Sequence, residues 1–491
     1  MLRKKDFFYK VIQMSLSMIL VNFSGICHSI FVSRKIGAEE MGIFQLVMSV
    51  FSLGVSLSIS GIPLTATRLL SDIPKNKATY SPTDIVKKCI VIALIASGMA
   101  FMLLFFGADT ISEKFIRIPQ TKKALKMLSP ALLCLGLSSG ISGYFTAFGK
   151  VGAMSFSKLC GETVTWGVTI FFIKFKPQTK PFMIPVYALT LSLYFEAFVN
   201  IILWFKTRPP RIINKKSIGY TRVLRLCTPI AVGSYLRTGL SGAENLLIPI
   251  RSHCERGVEK YGILKGMTLP VMMSASVFVG AFTTLIIPEI AARRSEGLKK
   301  SIKYISSVSI ENIMKFAICI STVLFVWHNH ICFKIYDNKE AGEYLFLLSA
   351  LPIFMYLDSV CDAIIKGLDE QVFALKVNVA DSIIRVILIY VLVPFFEIKA
   401  YIFIMYLSEI INLTLSYWKL KKLTALHFNA GKAVICPLIS SVIAVTIVLS
   451  ISMPNLPSEI VLYMIMYIIL SSLSAKAEAA LRQKHTQEFS K

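Results

Sequence analysis

Acidic residues are scarce in this 491-residue chain. Asp and Glu number 28 against 53 Lys and Arg, giving a formal net charge of +25, and charged residues make up only 16% of the whole. A soluble chain of this length would divide into domains with charged surfaces, which this composition excludes. No G-x-x-x-x-G-K-[ST] loop occurs, which removes that class of nucleotide-driven motor. The ten cysteines are scattered without a C-x-x-C spacing, so they read as small buried hydrophobes rather than disulfides or a redox motif. The ten-residue alternation of barrel strands is also missing.

What is present is apolar length. Hydrophobic residues make up 55% of the chain, and runs such as Val11–Ser33, Met41–Thr67, Cys89–Ala108 and Met127–Phe148 carry no charge. A hydrocarbon core of about 30 Å takes about 20 residues of helix, and backbone in lipid must bond within its own segment. The expected fold is an all-α polytopic membrane protein of about 14 transmembrane helices. The spans lie near 11–33, 42–67, 89–108, 127–149, 151–173, 182–205, 226–250, 266–288, 304–327, 344–365, 372–396, 400–418, 433–453 and 460–475. Met1–Lys10 resembles the charged end of a signal peptide, but no small-residue cleavage pattern follows, so the first span is expected to be retained. With the N-terminus in the cytoplasm, the inner loops hold 31 Lys/Arg and the outer loops 17. That is the positive-inside pattern, and it accounts for the basic charge better than nucleic acid does.

The basic, Pro-containing connection 207–225 separates an N-terminal lobe, 1–206, from a C-terminal lobe, 226–420. A helix pair, 421–475, and a cytoplasmic tail, 476–491, follow. Short internal repeats support two similar bundles. Arg34–Gln45, containing Gly42-Ile43, and Lys260–Lys265, containing Gly262-Ile263, match at an offset of 220, each followed by a proline, Pro63 or Pro288. Ser129-Pro130 and Leu351-Pro352 match at an offset of 222, and Lys158/Glu162 echoes Asp381/Arg385 downstream. Parallel repeats of this kind fit a two-lobed transporter.

The run RKIGAEEMGIFQLVMSVFSLGVSLSISGIPLTATRLLSD at Arg34–Asp72 carries Ile36-Gly37-x-Glu39, Gly42-Ile43-Phe44-Gln45 and Gly61-Ile62-Pro63. Further blocks are Glu244–Pro249, Tyr261–Met267 and Leu285–Ile290. Together these resemble the sporulation members of the polysaccharide-transporter branch of the multidrug/oligosaccharidyl-lipid/polysaccharide exporter superfamily. The resemblance runs from about residue 10 to about residue 475. It implies two six-helix lobes plus a terminal helix pair. It also implies alternating-access movement of a lipid-linked oligosaccharide, with a peptidoglycan precursor as the expected cargo. Where members often carry a basic residue one turn before Arg34, this chain has Ser29, with His28 beside it.

Charges inside apolar spans are the candidate site. Arg237, Ser241 and Glu244 recur at i, i+4 and i+7, one face of the seventh span, and intramembrane charge calls for a partner or a wet cavity. Arg34 and Arg251 end the first and seventh spans; each is either a guanidinium fork for pyrophosphate or a snorkelling anchor. Arg68 reads either way too. These five are the substrate-binding candidates. The ion-coupling candidates are Glu162, Glu196, Asp358, Asp362 and Asp381. Against coupling, Glu162 has Lys158 and Asp381 has Arg385 at i, i+4, where pairs neutralise each other. Asp358, Asp362 and Lys366 form an i, i+4, i+8 face. His328, His330 and Cys332, beside Trp327, read as a membrane-interface cluster, and no metal is expected.

The sequence therefore leads us to expect a non-enzymatic, cofactor-free, monomeric flippase in a bacterial cytoplasmic membrane. Its partners would be membrane lipids and a lipid-linked glycan. A cation-coupled multidrug antiporter and a membrane enzyme acting on lipid-linked glycans stand as alternatives; the short outer loops disfavour the enzyme.

Overall fold

The computed structural model describes residues 2–71, 81–207, 217–252, 256–426, 431–451 and 455–488, and every element among them is helical. Within the basic linker 207–225, residues 208–216 with Arg208, Arg211, Lys215 and Lys216 lie outside the described residues. Contacts divide the chain into two units, Met1–Gly266 with Ser382–Tyr401, and Met267–Asp381 with Ile402–Lys491.

The first unit contains α1 (Leu2–Ile36), α2 (Ala38–Ile59), α3 (Ile62–Ser71), α4 (Pro82–Thr110), α5 (Thr121–Leu128) and α6 (Ala131–Ala147). It continues with α7 (Val151–Phe175), α8 (Met183–Thr207), α9 (Tyr220–Arg251) and α10 (Gly257–Gly262). Lipid tails are as apolar as leucine, so helices associate through close packing over small residues rather than through expulsion of water. At the crossing of α2 and α10, a Cβ on Gly42 would lie 2.2 Å from the Val258 carbonyl oxygen, and one on Gly262 1.9 Å from that of Ala38. These are the repeat-related glycines of the sequence, and the fold packs them against each other.

The second unit contains α11 (Leu269–Met273), α12 (Ser276–Ser295), α13 (Lys299–Val326), α14 (His328–Tyr336), α15 (Lys339–Leu348) and α16 (Leu351–Gly367). The chain ends with α17 (Gln371–Thr424), α18 (Cys436–Ile451) and α19 (Leu456–Glu488). α17 breaks at Glu397, whose φ of 51° and ψ of −133° are not helical, so its 54 residues supply two spans, as the gap expected between 396 and 400 requires.

The Ser-Pro and Leu-Pro repeat has a structural counterpart. Pro130 and Pro352 each follow a short helix, α5 or α15, and open a longer one, α6 or α16. Packing is echoed as well. In the first unit a Cβ on Gly143 would meet the Pro63 carbonyl oxygen at 2.7 Å; in the second, one on Gly367 would meet that of Ile287 at 3.0 Å.

Among the described residues nine helices are long and apolar enough to cross a membrane, and α15–α16, bent by 51°, makes a tenth. With α17 counted twice, and with α1, α7 and α9, which at 35, 25 and 32 residues have the length but carry more polar side chains, this is consistent with fourteen spans. The all-α polytopic fold is as expected.

Candidate functional site

α9 carries the intramembrane stripe, and the structure divides it. Glu244 is 3% exposed. Its carboxylate meets the Arg385 guanidinium at 3.0 Å and accepts a 2.7 Å hydrogen bond from Tyr401. Lys265 in turn donates to the Tyr401 hydroxyl at 2.8 Å. One carboxylate therefore sits between two cations and a phenol within the first unit. Taking a charge out of water is offset only by close partners, and here a guanidinium and a phenol each meet one oxygen of Glu244. Arg237 differs. It is exposed near the middle of α9 and has no hydrogen bond or ion pair among the described residues. Ser241 lies between them, half-buried.

Arg251, in the last turn of α9, stacks 4.0 Å from the Tyr390 ring centre and donates to the Tyr390 carbonyl oxygen at 3.3 Å. Arg34, in the last turn of α1, is exposed. Its neighbour Ser33 is buried and donates to the Gly266 carbonyl oxygen at 2.6 Å. Arg68, in the last turn of α3, lines a hollow of about 500 Å³ with Arg222 and Arg225 of α9. Among the described residues that line it there is no carboxylate. Proximity of Arg68 to Arg222 and Arg225 could not be read from the sequence, since about 150 residues separate them.

Glu162 of α7 and Glu196 of α8 come within electrostatic reach of each other, and Lys158 within reach of Glu196. Lys158 thus acts on Glu196 of the neighbouring helix, and among the described residues no ion pair joins it to Glu162, the i, i+4 partner expected from the sequence. Ser24 of α1 donates to Glu162 at 3.5 Å and accepts from the Trp166 indole at 3.1 Å. His28 shares a 2.8 Å hydrogen bond with Thr169 and meets the Trp166 ring edge-on at 5.3 Å. Sequence analysis missed Ser24, Trp166 and Thr169. Polar residues at helical spacing in α1 and α7 were the available signal.

In the second unit Asp362 pairs with Lys366 at 2.5 Å. Asp381 is 7% exposed and accepts from Ser408 at 2.6 Å. Asp358 is half-buried on the same helix as Asp362. His328 and Cys332 do not converge: the imidazole turns to the Phe325 carbonyl oxygen at 2.8 Å, while the thiol is fully buried.

Comparison with known proteins places this architecture. A multidrug resistance MATE family transporter of the MOP superfamily, inward-facing, superposes with a TM-score of 0.66 at 12% identity, over 84% of this chain and 98% of that one. The lipid II flippase MurJ, in an inward closed conformation, superposes with a TM-score of 0.65 at 13% identity, over 95% of this chain and 100% of that one. The chain has the fold of the MOP-superfamily transporters. Residues 8–236 match the family described as polysaccharide biosynthesis protein. Stage V sporulation protein B of Bacillus subtilis (strain 168) is 20% identical over 392 residues, 75% of this chain and 74% of that protein. The resemblance carried by Arg34–Asp72 is borne out, since that run lies within the residues matched by the polysaccharide biosynthesis family.

Proposed function

We propose that this MOP-fold chain is a flippase for a lipid-linked oligosaccharide and makes or breaks no covalent bond. The observation that carries this reading is Arg237, a cation without a hydrogen-bond or ion-pair partner among the described residues, midway along a membrane-length helix. Such a charge costs about 2.5–3.5 kcal/mol at bilayer depth unless water or an anion meets it. A pyrophosphate-linked glycan brings that anion, and guanidinium groups bind it through paired hydrogen bonds. The hollow lined by Arg68, Arg222 and Arg225 adds a second guanidinium-rich site suited to an anion. Arg34 and Arg251 would meet the same head group at the opposite end of their helices. Glu244 then contributes by fixing α9 through Arg385.

An undecaprenyl-pyrophosphate peptidoglycan precursor used in sporulation is the cargo we favour, supported by the names of the MurJ and sporulation relatives. The protein would sit as a monomer in a bacterial cytoplasmic membrane with its N-terminus inside. The lobes 1–206 and 226–420 would rock about the linker 207–225, and the pair 421–475 would guide the lipid tail. Glu162 and Glu196, with Asp358, Asp362 and Asp381 as second candidates, would couple the motion to an ion. One observation favours the antiporter alternative: His28, Trp166 and the paired carboxylates form a polar, aromatic-edged cluster suited to an organic cation. The two separate in proteoliposomes. Labelled lipid-linked precursor should change leaflets with the wild type and at least tenfold more slowly with Arg237→Ala. Exchange of a cationic drug for ions, insensitive to Arg237→Ala, would overturn the flippase reading.

A further inference from the structure

Far from the Arg68 hollow, a second basic cavity opens in the first unit between the start of α5 and the α7–α8 connection. It encloses about 660 Å³. Lys122, Lys123 and Lys126 project into it from α5, Lys180 closes it from the α7–α8 connection, and Phe182 and Tyr187 form an aromatic floor. Among the described residues that line it there is no carboxylate. At this same end α1 gives way to α2, because the Phe182 N–H donates to Glu40 in the first turn of α2 at 2.8 Å.

The walls are built rather than incidental. Thr121, Ala124, Leu125 and Leu128 of α5 are fully buried, which fixes the lysine face of that short helix outward. Tyr187 stacks on Phe172, with ring centres 4.7 Å apart and planes 3° apart. Lys180 donates to Gln120 at 3.0 Å and so ties the two walls together. Lys122 and Lys126 share one carboxylate, Asp109, at 2.9 and 3.3 Å. Glu113 is also within electrostatic reach of Lys122, and Glu40 is engaged by the Phe182 N–H, so the four lysines exceed the three nearby carboxylates by one charge. Lys123 has no hydrogen bond or ion pair among the described residues and is exposed.

We propose that this cavity is a binding site for a phosphate-bearing ligand, separate from the arginine hollow at the other end of the helices. The chemistry differs between the two ends. Ammonium groups are flexible point charges that hold phosphate without the paired geometry of guanidinium, so they suit a ligand that is held loosely and let go. The aromatic floor suits a ligand with an apolar or sugar face beside its phosphates. This site does not depend on which cargo the chain carries.

The test uses the full-length protein, purified in detergent and also in nanodiscs, with acetylation of each lysine read by mass spectrometry. Two probes separate the sources of phosphate: inorganic pyrophosphate in solution, and nanodiscs of phosphatidylglycerol against phosphatidylcholine. We expect one probe to slow acetylation of Lys123 and Lys180 at least fivefold and to leave Lys176, at the same end but outside the cavity, unaffected. Protection by pyrophosphate assigns a soluble phosphate group; protection only in phosphatidylglycerol assigns a lipid head group. K123E/K180E, checked for a monodisperse fold, should weaken pyrophosphate binding at least tenfold or abolish the lipid-dependent protection of Lys122. K176E should do neither. Equal labelling of Lys123 and Lys176 with both probes, or unchanged binding in K123E/K180E, would overturn the proposal.

Discussion

At the scale of single residues, the two charges of the α9 stripe should behave in opposite ways when changed. Glu244 is enclosed by Arg385 and Tyr401, so Glu244→Ala leaves a buried guanidinium without its anion. That should destabilise the protein by about 3–5 kcal/mol, read as a lower melting temperature in detergent. Arg385→Ala should do the same, and the double variant should cost less than the sum of the two. Arg237 is exposed and has no hydrogen bond or ion pair among the described residues, so Arg237→Ala should leave the melting temperature within the change expected of a surface substitution, about 0.5 kcal/mol, while translocation falls at least tenfold. A stable, fully active Arg237→Ala protein would remove this residue from the site. The sequence announced both charges, because charge inside an apolar run is conspicuous. It could not announce Arg385 and Tyr401 as partners of Glu244, because the pairing joins positions more than a hundred residues apart with no shared periodicity. His28 shows the same limit. Its identity was legible, while its hydrogen bond to Thr169 and contact with Trp166 depend on how α1 lies against α7.

At the scale of elements, the close crossing of α2 and α10 is the contact most sensitive to volume. Gly262→Leu places carbon where the Ala38 carbonyl oxygen now lies, and overpacking of this kind costs about 1–3 kcal/mol or forces the helices apart. Reduced yield of folded protein, or a melting temperature lower by several degrees, should follow, with Gly98→Leu as a control since nothing lies within 4 Å of that Cβ position in α4. The α7–α8 pair gives a functional test. Glu162→Gln or Glu196→Gln should reduce the dependence of transport on an imposed ion gradient, and unchanged dependence in both would move coupling to Asp358, Asp362 or Asp381. Helices themselves were plainly legible. Uncharged runs of membrane length became α2, α4 and α6, and the break at Glu397 fell where two runs met. Less legible were the short α5, α10 and α15, whose few residues carry too little pattern to separate from loops.

For the whole molecule, the internal repeat proved more physical than its few letters suggested. Gly42 and Gly262, matched in sequence, touch within the first unit, and the Gly143 and Gly367 contacts recur in separate units. A duplicated close-packing motif explains why such short matches survive: small residues at crossings tolerate little change where helices associate by packing alone. The MOP fold and the polysaccharide-family match support the proposed transport reading, and the cargo we propose rests on Arg237 and the arginine hollow.

The most direct measurement follows a fluorescent undecaprenyl-pyrophosphate-linked glycan placed on one leaflet of proteoliposomes and quenched from one side only. Flipping faster than in protein-free vesicles, and at least tenfold slower with Arg237→Ala, is the predicted result. No flipping above protein-free vesicles, under either a membrane potential or an imposed ion gradient, would contradict it.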